Sequence, residues 1–334
     1  MALDAGPIRE LAERSRFSGV VRVDRAGDDP YVEAFGLADR RHAIGNTVST
    51  RFGIASGTKG FTAVTVVGLI QDGVLDLSTT ARSVLGGDLP LIDEAVTIEH
   101  LLAHRSGIGD YLDEDTLSGS NDHTLAVPAY QLDATERYLA VLDGFPMVFA
   151  PGERYAYNNG GYVVLALIAE RASGVPFADL VAERVCMPAG MRETSFQRSD
   201  ELPSDTAVGY LDVDGPRTNV FHLPVLGSGD GGISTTATDM VLFWEAFFAG
   251  RIVPDASVAE MVRPRSDVPG ESRRYGLGFH LHGTTEVVWL AGSDAGVSFA
   301  STHDPASGTT ATVLSNVTDG AWDIVAMLDD VLGL

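Results

Sequence analysis

Residues 53–73 read GIASGTKGFTAVTVVGLIQDG, and this stretch decides the fold that we expect. Residues 61–70 are apolar on nearly every face of a helix, a pattern that is typical of a helix buried on all sides. Gly73 ends the pattern. Ser56 and Lys59 stand three residues apart at its beginning, so a helix places them on one face. The sequence therefore predicts a buried helix that carries a serine and a lysine at its first turn.

Lys59 is the only lysine in a chain of 334 residues, and the other 22 basic residues are arginines. A serine hydroxyl is a weak nucleophile until a base removes its proton. Arginine stays protonated in proteins, whereas burial lowers the pKa of a lysine and leaves a neutral amine that can act as a base. The spacing therefore favours Ser56 as a nucleophile and Lys59 as its base. The alternative is a serine that caps the helix beside a lysine whose stem packs along it.

Composition excludes several classes of partner. The formal net charge is −23, which argues against nucleic acid and anionic membranes. Cys186 is the only cysteine, so the chain forms no internal disulfide, and its apolar setting predicts a buried structural thiol. Neither a signal peptide nor an apolar run of transmembrane length is seen, and we predict a cytoplasmic protein without a membrane partner. The composition is otherwise that of a globular domain.

Strand patterns lie at both ends of the chain and helical patterns in the middle. Residues 17–25 and 31–37 alternate as a hairpin would, and further strands are predicted at 276–281, 286–290, 297–302 and 310–314. We predict an α/β (α+β) domain from residues 1–75 plus 265–334. A mostly helical domain, residues 76–264, is inserted in it, with the active site between the two. Residues 106–133, rich in Gly, Asp and Ser, predict a surface loop.

The segment Tyr157-Asn158-Asn159 offers a phenol and an amide two positions apart. In an extended segment the side chains of Tyr157 and Asn159 point to one side. A phenol near an ammonium can lose its proton more easily than in water and can act as a general acid or base. The amide can bind an ester or amide group of a substrate. The alternative is a packed loop without a catalytic role.

Four further segments occur in an order that is characteristic of one superfamily. They are HLLAHRSGI (100–108), YNNGGY (157–162), MPAGMRETS (187–195) and GGISTTATDM (231–240). Together with the Ser-x-x-Lys spacing, the chain resembles the serine β-lactamase and D-Ala-D-Ala carboxypeptidase superfamily, and most of all class C β-lactamases and related esterases. The resemblance implies an antiparallel sheet flanked by helices.

The resemblance also implies roles for individual residues. Ser56 is then the nucleophile, and Lys59 is its base or proton relay. Tyr157 is the acid/base that serves the leaving group and the deacylating water, and Asn159 holds the substrate. No cofactor or metal is implied.

The third motif of the superfamily corresponds here to WLAGSDAGVS, residues 289–298. Gly292 fits the motif, and the resemblance assigns the oxyanion hole to the backbone N–H groups of Ser56 and Ser293. Leu290 stands where the superfamily has lysine or histidine, and the resemblance therefore places it, with Asn159, Gly292 and Ser293, among the substrate-binding and oxyanion residues. Leucine cannot bind a substrate carboxylate, so we expect poor recognition of penicillins and D-Ala-D-Ala. An alternative is that His282 or an arginine from elsewhere compensates.

The sequence thus predicts a serine hydrolase that works through an acyl-enzyme on a small-molecule acyl substrate, an ester first and then an amide without that carboxylate. Alternatives are an acyltransferase, a β-lactamase, a D-amino-acid peptidase, or a non-catalytic binding protein that keeps the fold. GSGDGG (227–232) matches a dinucleotide fingerprint but follows no βαβ start. His100 and His104 have the spacing of a zinc protease, but Leu101 stands where glutamate is needed, so packing or hydrogen-bonded histidines are predicted.

Overall fold

The centre of the fold is an antiparallel sheet built from both ends of the chain. The structure is a computed structural model and describes residues 3–116, 118–270 and 272–334. In chain order its strands are β1 (Gly19–Asp24), β2 (Tyr31–Phe35), β3 (Leu37–Asp39), β4 (Ile44–Gly45), β5 (Phe52–Gly53), β6 (Ser195–Phe196), β7 (Ile233–Thr235), β8 (Ser266–Asp267), β9 (Arg273–Tyr275), β10 (His280–His282), β11 (Val288–Asp294), β12 (Val297–Asp304) and β13 (Thr309–Ser315). The main sheet has the order β2-β1-β13-β12-β11-β10-β9-β8, with antiparallel neighbours. Two small sheets, β3-β4 and β5-β7-β6, lie outside it.

Helices occupy the middle of the chain and its two ends. They are α1 (Gly6–Ser15), α2 (Thr58–Gln71), α3 (Ala81–Leu85), α4 (Ile98–Leu102), α5 (Leu139–Leu142), α6 (Asn159–Ser173), α7 (Phe177–Val181), α8 (Met187–Ala189), α9 (Ala237–Phe248), α10 (Asp255–Met261) and α11 (Trp322–Leu332). This mixture of helices with an antiparallel sheet is the predicted fold class. Among the residues that the structure describes, no helix combines the length and the apolar character needed to cross a membrane.

The two faces of the sheet pack against different helices, because successive side chains of a strand point to opposite faces. Val20 and Leu314 belong to a large core that includes residues of α2, α6 and α9. Their chain neighbours Val21 and Val313 belong to a second core, with residues of α1 and α11. The sheet is therefore covered by helices on both sides.

Helix α2 runs through the large core, as the apolar pattern of its sequence predicts. Nearly all of its residues from Thr58 to Leu69 are buried, Lys59 among them. Cys186 is free and buried, and burial raises the pKa of its thiol to about 12. The prediction of a structural thiol is confirmed, because a thiol with this pKa stays protonated at neutral pH.

The predicted strand at 276–281 is only partly present. The strand covers His280–His282, while the preceding residues leave the sheet. Gly278 has a φ of +87° and donates its N–H to the carbonyl of Leu102, and Leu277 donates to Met261. The alternating pattern fails here because these backbone groups find partners outside the sheet.

The described residues of the predicted loop at 106–133 form short 3₁₀ turns at Glu114–Thr116, Ser120–Asp122 and Ala129–Gln131 and no other regular element. Leu117 in this loop, and Met1, Ala2 and Glu271 of the predicted sheet domain, lie outside the described residues. The division into two domains stays a prediction. Helix α9 of the inserted segment reaches the sheet, where Trp244 Nε1 donates a hydrogen bond to Ser301 Oγ at 2.8 Å.

Candidate active site

Ser56 and Lys59 meet at the beginning of α2. Ser56 lies in a 3₁₀ turn, Ala55–Gly57, and α2 follows directly. Lys59 Nζ donates a hydrogen bond to Ser56 Oγ over 2.9 Å. This distance suits proton transfer between the two groups once the amine is neutral. The structure therefore brings together the nucleophile and the base that the spacing predicts.

The Lys59 side chain is buried, with 2% of its surface exposed. Its Nζ also donates to Asn159 Oδ1 at 2.8 Å and to the carbonyl oxygen of Asp230 at 3.0 Å. Burial lowers the pKa of Lys59, and the charges of Asp230 and Glu114 raise it by a smaller amount. The amine therefore loses its proton more readily than a lysine in water does.

Strand β11 passes so close to the Ser56 turn that only glycine fits at position 292. A Cβ atom on Gly292 would lie 2.2 Å from the carbonyl oxygen of Ile54 and 2.7 Å from the amide nitrogen of Ser56. Ala55 has a φ of +43°, which is uncommon for alanine. Such backbone persists where the surrounding structure fixes it. The contact brings together the two segments, around Ser56 and Ser293, that are predicted to supply the oxyanion hole.

The Tyr157 ring lies beside the Lys59 ammonium, with 4.9 Å between Nζ and the ring centroid. Burial raises the pKa of Tyr157 well above its ordinary value, the charge of Glu114 adds to this, and a hydrogen bond with Ser56 lowers it. The expectation of an easily deprotonated phenol is therefore wrong for the free protein, because burial disfavours the phenolate. A protonated phenol can donate a hydrogen bond or act as a general acid.

The side-chain amide of Asn159 is fully engaged in the free protein. Its Oδ1 accepts a hydrogen bond from Lys59. Its Nδ2 donates to the carbonyl of Leu112 at 2.9 Å and to Glu114 Oε1 at 3.0 Å. An amide nitrogen has two hydrogens, so a substrate carbonyl can bind Asn159 Nδ2 only by replacing one of these partners.

Helix α6 begins at this amide because two side chains cap it. Asn158 Oδ1 accepts the N–H of Gly161 at 2.6 Å. Asp110 accepts the N–H groups of Asn159 at 2.6 Å and of Gly160 at 2.8 Å. Burial raises the pKa of Asp110 to about 6, while these hydrogen bonds lower it. Sequence reasoning does not find Asp110, because it lies in an irregular loop far along the chain from the helix that it caps.

A cleft of about 520 Å³ opens at Ser56, and acidic side chains line it. They are Glu114, Asp230 and Asp294. Burial raises the pKa of Asp294 to about 7, and the charges of Asp230 and Glu114 contribute. Burial also raises the pKa of Asp230. Sequence reasoning misses this acidic lining, and the one signal for Asp294 is its place directly after Ser293.

Another part of the cleft wall is apolar. Its lining includes Leu125, Leu202, Val208, Val220 and Leu223. Such a wall suits the hydrocarbon part of an acyl or alcohol group, because binding removes apolar surface from water.

Leu290 faces the core and not the cleft. It is 2% exposed, and its Cδ2 lies 2.6 Å from the place that a Cβ on Gly60 would take. It is not among the residues that line the cleft. The sequence-based assignment of Leu290 to the substrate contacts is therefore corrected, because the side chain packs against α2. Trp289 stacks on His280 with 5.4 Å between ring centroids and does not line the cleft either.

The sequence left open a compensating cation, His282 or an arginine, and among the described residues His282 does not line the cleft. His282 lies on β10, and its Nδ1 accepts the N–H of Thr285 at 3.0 Å. Arg41 is the one arginine among the described residues that line the cleft, and Asp39 binds its guanidinium at 2.8 Å. A substrate carboxylate would therefore compete with Asp39 for Arg41.

The two histidines with metal-like spacing are hydrogen-bonded, as predicted. His100 Nδ1 accepts the N–H of Thr97 at 3.3 Å, and His104 Nδ1 accepts the N–H of Asn158 at 3.1 Å. The glycine-rich segment 227–232 supplies the carbonyl of Asp230 to Lys59. It therefore forms part of the wall around Ser56.

Comparison with known proteins agrees with this geometry. Residues 7–331 match the family described as Beta-lactamase. The chain is 31% identical to Esterase EstB of Burkholderia gladioli, over 83% of this chain and 77% of that protein. It is 29% identical to D-aminopeptidase of Brucella anthropi, over 80% of this chain and 49% of that protein. The crystal structure of a penicillin binding protein from Bacillus halodurans superposes with a TM-score of 0.91 and 34% identity, covering 97% of this chain and 99% of the other.

The chain spans less than two thirds of the length of several curated relatives, from 49% to 62%. The family match nevertheless extends over almost the whole chain and includes the Ser56–Lys59 pair. The chain therefore belongs to the Beta-lactamase family.

Proposed function

We propose that this protein hydrolyses esters, and amides that lack a carboxylate at the recognition site, through an acyl-enzyme on Ser56. The observation that carries the proposal is the 2.9 Å contact between Ser56 Oγ and the buried Nζ of Lys59. Burial favours the neutral amine that the reaction needs. The apolar part of the cleft wall supports an uncharged acyl or alcohol group as substrate.

The reaction proceeds in two halves. Ser56 Oγ attacks the carbonyl carbon while the neutral amine of Lys59 takes the hydroxyl proton, and the N–H groups of Ser56 and Ser293 stabilise the oxyanion. Tyr157 donates its proton to the leaving oxygen or nitrogen as that bond breaks, and Lys59 returns a proton to Tyr157. A water molecule then attacks the acyl carbon with the same groups acting in reverse, which releases the acid and restores Ser56.

The charge of the cleft supports a substrate without a carboxylate. Glu114, Asp230 and Asp294 line it, and Asp39 holds Arg41. Like charges about 4 Å apart repel by roughly 1 kcal/mol in bulk water and by roughly 4 kcal/mol near a protein surface. This repulsion corresponds to a loss of about tenfold or more in kcat/KM for an anionic substrate.

The same acidic lining favours a second candidate, hydrolysis of amides that carry a free amine. An ammonium group near Glu114 would replace Asn159 Nδ2 as its partner and free that amide for the substrate carbonyl. A preference for alanine p-nitroanilide over its N-acetyl form, lost in Glu114→Gln, would support this candidate. Equal rates for both compounds would exclude it.

The central test uses short-chain p-nitrophenyl esters and a fluorophosphonate probe. We expect turnover and labelling in the wild-type protein and neither in Ser56→Ala, while Ser49→Ala, a change at an exposed serine, behaves as wild type. Lys59→Arg keeps a cation but removes the base, so we expect no turnover. A wild-type protein that neither turns over esters nor becomes labelled would support the non-catalytic alternative and overturn the proposal.

A matched pair of esters tests the exclusion of carboxylates. p-Nitrophenyl butyrate and p-nitrophenyl hemisuccinate differ mainly in the terminal charge, and we expect kcat/KM to be about tenfold or more lower for the hemisuccinate. Equal values would contradict the role given to the acidic lining. Ester products formed when a small alcohol is added would instead point to acyl transfer, and rapid turnover of penicillins would point to a β-lactamase.

A further inference from the structure

His104 lies buried directly behind the Tyr157 ring, with 1% of its surface exposed. It follows α4, and its backbone has a φ of +53°, in the left-handed region that few non-glycine residues adopt. Backbone of this kind is often found close to active sites, where surrounding contacts hold it in place. His104 is not among the residues that line the cleft, so any effect on the reaction passes through its neighbours.

Three contacts from His104 enclose Tyr157. The carbonyl oxygen of His104 accepts the N–H of Ala156 at 2.9 Å, on one side of Tyr157. Its Nδ1 accepts the N–H of Asn158 at 3.1 Å, on the other side. The two rings lie against each other, with centroids 4.4 Å apart and planes inclined by 38°. One residue thus fixes the backbone on both sides of Tyr157 and one face of its ring.

We propose that His104 is a positioning residue for Tyr157: its Nδ1 lone pair holds the 156–158 backbone so that the phenol meets Ser56 and Lys59. The inference rests on the proposed hydrolysis, because it gives His104 a part in that reaction. His104 itself touches no substrate. It acts through the placement of the Tyr157 hydroxyl, which serves the leaving group.

The protonation state of the His104 imidazole follows from its hydrogen bond with the Asn158 N–H. Because Nδ1 accepts a hydrogen bond, the ring is neutral and its proton lies on Nε2. Burial lowers the pKa of His104 well below its ordinary value, and the Lys59 charge lowers it further. Within the described part of the chain Nε2 has no hydrogen-bond partner, so the bond from Asn158 is the polar anchor of the ring.

Two amide variants separate positioning from simple packing. His104→Asn places a carbonyl oxygen close to where Nδ1 now lies, and asparagine tolerates left-handed backbone. His104→Gln fills more of the ring volume but carries its amide one bond farther, which leaves the Asn158 N–H without its acceptor. If His104 only fills space, Gln is the better replacement. If it positions Tyr157 through Nδ1, Asn is better.

The assay compares kcat and KM for a p-nitrophenyl ester and for the matching ethyl ester. We expect His104→Gln to lower kcat/KM for the ethyl ester, which reports acylation, by about 10²-fold, since displacement of a catalytic group by about 1 Å costs this much. The loss for the p-nitrophenyl ester is smaller, because its leaving group needs no proton. His104→Asn stays within about tenfold of wild type, as the retained hydrogen bond predicts.

A double variant and thermal unfolding complete the test. Tyr157→Phe removes the positioned group, so adding His104→Gln to it should cause little further loss in kcat. Thermal unfolding is measured for each variant, and activities are compared only among variants that are folded at the assay temperature. A Gln variant that equals or exceeds the Asn variant, or an equal loss for both esters, overturns the role of His104 while leaving the proposed hydrolysis intact. A wild-type protein without turnover or labelling overturns both.

Discussion

Gly292→Ala tests whether the close approach of β11 builds the oxyanion hole. The added Cβ would lie 2.2 Å from the carbonyl oxygen of Ile54 and 2.7 Å from the amide nitrogen of Ser56, whereas contacts below 3.0 Å are essentially never observed. Both obstructing atoms belong to the backbone, so no side-chain rotation relieves the overlap. Strand β11 must therefore retreat by about 1 Å, and the Ser293 N–H retreats with it.

The expected loss of kcat in Gly292→Ala follows from this displacement of β11. Loss of one oxyanion-hole donor lowers kcat by about 10²–10³-fold, and a misplacement of about 1 Å lowers rates by about 10²-fold. We therefore expect kcat on p-nitrophenyl butyrate to fall by about 10²-fold, with a smaller change in KM, because the ground-state carbonyl depends less on the hole than the oxyanion does.

Gly87→Ala is the matched control, since a Cβ there meets nothing within 4 Å. Steady-state kinetics, fluorophosphonate labelling and thermal unfolding are measured for both variants. If Gly292→Ala keeps kcat within about threefold of wild type while Gly87→Ala is also unaffected, the oxyanion hole does not depend on this contact.

Three further predictions concern charge and packing. Activity should fall as the pH is lowered through the pKa of Lys59, which burial holds below that of an ordinary lysine. A pH profile of kcat/KM that shows no such fall would contradict the role of the Lys59 amine as base. Asp294, whose pKa is about 7, is neutral below that pH and charged above it, so the preference for butyrate over hemisuccinate esters should grow as the pH rises through 7. Asp294→Asn should flatten this pH dependence. An unchanged pH profile in that variant would show that another group is responsible. Trp244→Phe removes the hydrogen bond that Trp244 Nε1 donates to Ser301 Oγ, which keeps Thr312 Oγ1 as a partner, and it leaves the core one ring smaller. It should lower the free energy of unfolding by about 1–3 kcal/mol, measured by denaturant titration, while kcat stays near the wild-type value.

Local patterns predicted the parts of the site that lie close together in the chain. Ser56 and Lys59 are one helical turn apart, so a buried helix by itself brings their side chains together. The extended segment from Tyr157 to Asn159 likewise presents a phenol and an amide, and both lie at Lys59. The α/β mixture of strands and helices also followed from the order of their patterns, whereas the antiparallel arrangement of the sheet was implied by the resemblance.

Patterns failed where a residue's partner is distant in sequence. Alternating hydrophobicity extended the strand too far at 276–281, because it cannot show that Gly278 and Leu277 bond outside the sheet. The motif register placed Leu290 correctly on a strand, but only packing decided that it contacts Gly60 and not the cleft. The predicted cytoplasmic location stays a prediction.

The sequence by itself indicated the family, through the order of four segments along the chain, and it predicted the buried helix α2 and the Ser56–Lys59 pair from spacings within one or two helical turns. Only the tertiary structure decided the chemistry around them. The folded chain buries Lys59, which lowers its pKa, and it places the carboxylates of Glu114, Asp230 and Asp294 in the wall of the cleft that opens at Ser56. Electrostatics and burial act through space, so residues that are distant in the sequence set the properties of a pair that the sequence shows only as neighbours.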